Sequence, residues 1–80
     1  MKMVNVTVRN YSELQSALMI FTRTHQETSV KFEGLRFRFY LTTQDDLFVV
    51  KYKQKIETFE HALGLACYMS ETIHKEKTSK

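Results

Sequence analysis

The sequence predicts an α+β fold, a two-layer sandwich in the order β-α-β-β-β-α, and three observations carry that prediction. Several short segments alternate with period two and are apolar on one side only, as in Val4, Val6, Val8 and in Phe37, Phe39, Leu41. Such strands build an antiparallel-rich sheet with one face packed and the other open. Two longer segments instead repeat their apolar residues every three to four positions, which marks helices. Finally, 80 residues suffice for one core, so both helices must cover the same face of the sheet.

Residues 3–9 set Val4, Val6 and Val8 against Asn5, Thr7 and Arg9, a strand whose β-branched side is buried. Asn10-Tyr11-Ser12-Glu13 is an Asx-x-x-Glu capping pattern, followed by Leu14, Ala17, Leu18 and Phe21 on one helical face. The helix is expected from Tyr11 to His25, and the polar residues 26–28 form a loop. Val30-Lys31-Phe32 starts a second strand, and Gly34 supplies either the positive φ of a turn before the third, Leu35 to Leu41, or a bulge within one continuous strand. Residues 42–46 form the next turn. In the last strand, Leu47 to Gln54, Phe48, Val50 and Tyr52 face the core, while Lys51 and Lys53 face out. Thr58 is placed to cap a closing helix that buries Phe59, Ala62, Leu63, Ala66, Met69 and Ile73. Residues 1–74 therefore read as a single domain and 75–80, with Lys75, Lys77 and Lys80, as a short basic tail.

A hydrophobic fraction of 42% and a charged fraction of 26% exclude a disordered chain. The net charge of +3 favours phosphate or an acidic surface, but it also lies within what solubility alone requires. Cys67 is the lone cysteine, which rules out an intrachain disulfide and suits a reducing, cytoplasmic setting. No apolar run reaches membrane-spanning length, so no membrane role is expected.

Catalytic motifs are absent: there is no phosphate-binding glycine loop, nucleophile elbow or His-Glu-x-x-His. Asp45-Asp46 reads as turn-forming rather than as paired carboxylates. Glu57 and His61, at i and i+4, are two ligands at most and make no metal site. The expectation is a protein with no enzyme activity, no cofactor, no metal and no small-molecule ligand.

The α-β-β-β-α portion has the element order of a double-stranded RNA-binding domain. However, Glu57-Thr58-Phe59-Glu60 is acidic where that family enters its last helix with lysines, and the aromatic motif of an RRM sheet is missing, so neither family is assigned.

Two surfaces remain. On the outward side of the last helix, His61, Gly64, Leu65 and Tyr68 form a mixed stripe, in which a glycine permits close approach and a tyrosine supplies an anchor. This stripe supports the first expectation, a small non-catalytic module that docks on another protein, or on itself as a homodimer, as a regulator, inhibitor or accessory subunit. The second surface is the open face of the sheet, which carries Lys31 beside Glu33 and Asn5, Thr7 and Arg9 of the first strand. There Arg36, Arg38, Tyr40, Lys51 and Lys53 combine guanidinium groups, ammonium groups and a stacking ring suited to nucleic acid.

Overall fold

The computed structural model describes residues 3–78, which fold as α+β with a mixed sheet and two helices. The elements are β1 (Val4–Val8), α1 (Tyr11–Thr24), β2 (Thr28–Phe32), β3 (Arg38–Gln44), β4 (Leu47–Tyr52), β5 (Lys55–Phe59) and α2 (Ala62–Thr78). The five strands lie side by side in chain order, with β1 parallel to β2 and every later pair antiparallel. The parallel pair follows from the α1 crossover, and the antiparallel pairs follow from short turns.

α1 forms where the capping pattern puts it. The Asn10 side chain accepts the Glu13 backbone N–H at 2.9 Å, and Glu13 Oε1 accepts the Arg9 N–H at 2.8 Å, so two backbone donors are satisfied at the entry. The helix ends at His25, whose left-handed φ of 56° lets its N–H return to the Phe21 carbonyl. Leu14, Leu18 and Phe21 are buried against the sheet.

The core takes alternate strand residues: Val8, Val30, Phe32, Phe39, Leu41, Val50 and Tyr52 are all buried, joined by Leu65, Met69 and Ile73 of α2. The register lines Val30, Phe39 and Tyr52 across three strands, with the Phe39 and Tyr52 rings stacked at 4.9 Å. Such cross-strand pairs add to simple burial by about 0.5–1.5 kcal/mol.

Gly34 occupies the β2–β3 connection with φ 94°, and nothing lies within 4 Å of where its Cβ would be. The backbone angle, not crowding, calls for glycine there. The third strand begins later than the alternation suggests: Leu35 and Phe37 still pack on the core, but from the connection, and pairing starts at Arg38. At Asp45 and Asp46 both φ values are positive, 54° and 66°, in a two-residue turn joining Gln44 to its partner Leu47.

The largest addition to the expected order is β5. After Tyr52 the chain turns at Lys53-Gln54, and residues 55–59 pair with β4 instead of linking directly to a helix. β5 escapes the hydrophobic pattern because Lys55, Ile56, Glu57 and Thr58 are all exposed, so backbone hydrogen bonding and not an apolar face defines it. Phe59 therefore belongs to the sheet, and α2 starts at Ala62. Residues 75–78, expected as part of a tail, continue α2 as far as Thr78, while Ser79 and Lys80 lie outside the described residues. The physical reason is docking: Glu76 bonds to Tyr52 and Lys53, and the Lys77 ammonium lies 4.8 Å from the Phe32 ring centre.

Candidate functional site

The open face of the sheet is fixed by the register. Opposite Phe39 and Leu41, the central strand β3 presents Arg38 and Tyr40. Across the ladder, Asn5, Ser29, Tyr40, Lys51 and Ile56 stand in one row, and Thr7, Lys31 and Arg38 in the next. Neighbouring strands are about 4.8 Å apart and alternate residues about 7 Å apart along a strand. Lys51 is thus beside Tyr40 on the adjacent strand, Arg38 is one step along β3, and Lys31 is diagonal to it. Three cations surround one exposed ring. Tyr40 lies on the middle strand of the sheet and is 43% accessible, so its side chain is open to a stacking partner.

No carboxylate interrupts this face within the strands. Its other strand positions are Thr42, Gln44, Leu47, Val49 and Thr58, all uncharged. Glu57, opposite Val50, lies in the row on the helix side, and Asp45 and Asp46 are confined to the turn. The exposed Glu33 follows the end of β2 two residues after Lys31, so the separation of sign holds along the strands and not at their ends. The face is therefore basic by segregation of sign, although the whole chain carries only +3. Arg38 is also held in place: its guanidinium donates to Ser29 Oγ at 3.2 Å, and Ser29 is buried beneath. A tethered guanidinium loses less side-chain freedom on meeting an anion.

Three of the five basic-face residues are brought together, namely Arg38, Tyr40 and Lys51. Arg36 is exposed in the connection ahead of β3 rather than on a strand. Lys53 turns to the opposite side, because β4 ends at Tyr52 and a φ of 56° at Lys53 starts the return into β5. Its ammonium pairs with Glu76 of α2 at 3.1 Å and sits 5.2 Å from the Phe37 ring centre. Lys53 closes the helix side of the sheet and contributes nothing to the open face.

The helical stripe is corrected more fully. Leu65 has no accessible surface and lies in the core with Met69 and Ile73, whereas Leu63 is 76% exposed. Gly64 does permit close approach, but of the chain's own Phe59: a Cβ there would lie 3.3 Å from Phe59 Cδ1. The Tyr68 ring packs on the same Phe59 at 5.3 Å, leaving His61 exposed by itself before the first turn. Phe59 ends β5, and α2 turns Leu65, Met69 and Ile73 inward. His61 and Glu57 are no longer i and i+4 of one helix, since Glu57 is in β5.

The cluster that sequence reading missed joins Tyr52, Lys53 and Glu76. The Tyr52 hydroxyl donates to Glu76, 24 residues away, and no local pattern signals that contact. Burial, followed by the neighbouring carboxylate, raises the Tyr52 pKa well above its ordinary value. Hydrogen bonds from Tyr52 and then Lys53 lower that of Glu76. The arrangement ties the end of α2 to the sheet.

Among the described residues no three or more His, Cys, Asp or Glu side chains gather as a metal site, and no helix is long and apolar enough to cross a membrane. No known protein family, curated protein or solved structure matches the chain.

Proposed function

We propose that the protein is a non-catalytic binding module that takes a single-stranded nucleic acid across the open face of its sheet. One observation carries the reading: Lys31, Arg38 and Lys51 surround the exposed Tyr40 on a face without carboxylates at its strand positions. Phosphates meet the three cations while a base stacks on the tyrosine, and the open sheet face admits an extended single strand. The docking stripe on α2 offers no comparable surface, since Leu65 is enclosed and Gly64 and Tyr68 are engaged by Phe59.

Neutralising three phosphates of a single strand gives a slope of about −2 in log K against log salt, at about 0.7 per contact. Fluorescence anisotropy with a labelled single-stranded oligonucleotide measures that slope directly. Tyr40→Ala should weaken binding by about 1–3 kcal/mol with little change in slope, because stacking releases no counterions. Arg38→Glu should nearly abolish binding and leave the circular dichroism spectrum intact. Absence of binding at low salt, or an Arg38→Glu variant that binds as well as the parent, refutes the reading.

A further inference from the structure

The two edges of the sheet are built differently. β5 carries Lys55 and Glu57 on its helix-side row, charges that obstruct the addition of another strand. β1, Val-Asn-Val-Thr-Val, has no proline, no lysine and no inward charge. Val4 donates to Glu27 and Val8 accepts from Glu33, so the even residues of β1 bond to β2. By alternation Met3, Asn5 and Thr7 direct their backbone groups to the free edge. The next such N–H, that of Arg9, is taken by the Glu13 side chain, which ends the available ladder at Thr7.

Beside this edge lies a groove of about 390 Å³ between β1 and α1, with Val4, Val6, Ala17 and Ile20 among its walls. Val4 is 38% and Ile20 64% exposed. We propose that a second copy of this chain fills the groove, with β1 pairing antiparallel to the partner's β1 about Asn5. That register uses every free backbone group of Met3, Asn5 and Thr7.

Three features favour self-pairing over a foreign strand. Charges at the two ends of α1 are opposite: Glu13 lies in its first turn and Arg23 in its last. A twofold axis sets each of these against its opposite, and both are exposed and outside any salt bridge among the described residues. The helix spacing also agrees. α1 packs over β1 and β2. With strands about 4.8 Å apart, its axis lies about 5 Å from the twofold, so the two α1 helices pass about 10 Å apart, the distance at which helices pack. In addition, Ile20 of each copy covers the other copy's groove. The result is a ten-stranded sheet whose open faces, each with its own Tyr40 cluster, are continuous. This seam is an edge, so its existence does not depend on what the open face binds.

Light scattering on the eluting protein tests the proposal. The expected mass is twice the 9.5 kDa of one chain. Asn5→Pro removes a free-edge N–H while the even residues keep their bonds to β2, and it should halve the mass. Ile20→Lys, an exposed position that keeps the fold, should do the same by charging the groove. Asn5→Cys in a Cys67→Ser background should give one covalent dimer on mild oxidation, since directly opposed residues of a bonded pair are about 5.5 Å apart at Cα. A parent that stays monomeric from micromolar to millimolar concentration, or a dimer that survives Ile20→Lys, overturns the proposal.

Discussion

Leu63 and Leu65 are the same residue type, two positions apart in one helix, so truncating each to alanine isolates the effect of burial. Helix propensity changes equally in both variants and cancels in the comparison. Leu65 is fully enclosed with Met69 and Ile73, and its truncation removes most of a buried side chain from a core that collapses only in part, at a cost of about 3 kcal/mol. Leu63 is 76% exposed and should cost less than about 0.5 kcal/mol. For a domain of this length about 4–8 °C is lost per kcal/mol, so the melting temperatures of the two variants should differ by roughly 10–20 °C. A total stability of about 4–12 kcal/mol leaves Leu65→Ala folded in the cold, where its spectrum can be compared with the parent. Thermal and urea melts followed by circular dichroism provide the measurement. Equal losses, or a larger loss at Leu63, would refute the assigned rotation of α2.

The Tyr52–Glu76 contact predicts stability lost at both pH extremes. Glu76 has a lowered pKa, so its contribution is complete above the ordinary value of 4.5 and falls away as acid protonates the folded carboxylate. Tyr52 has a raised pKa, so its contribution is complete below 10.0 and declines as the pH climbs past that value, where the unfolded phenol ionises first. Melting temperature against pH for the parent and Tyr52→Phe should therefore diverge least at the two ends, and a constant gap across the range would be the contrary result. At Asp46, φ 66°, glycine should stabilise by about 0.5 kcal/mol, after allowance for its greater freedom when unfolded, and valine should destabilise by about 1–2 kcal/mol. Urea denaturation that ranks valine above glycine would show that the turn has another conformation.

The reach of the sequence differs from element to element. Val4-Val6-Val8, Phe39-Leu41 and Phe48-Val50-Tyr52 alternate cleanly because each strand has a wet side and a dry side, and a slip of one residue would bury lysine. The Asn10 cap and the Asp45-Asp46 turn are equally legible, because their chemistry acts over three or four residues. Arg38, Tyr40 and Lys51 could be placed on one face from parity alone. Lys53 and the α2 stripe could not, since both depend on where β4 ends and whether β5 exists. β5 has no apolar alternation to announce it, and the paired leucines of α2 fit two rotations of the helix equally well.

By itself the sequence determined the fold class, the first helix and the sign of the open face, all of which follow from local periodicity and capping. Tertiary structure alone decided the fifth strand, the rotation of α2, the Tyr52–Lys53–Glu76 tie and the contrast between a guarded and an unguarded sheet edge. Each of these rests on pairing and packing between elements, from the β4–β5 ladder to the Tyr52–Glu76 contact across 24 residues, which the hydrophobic pattern of a single segment does not carry.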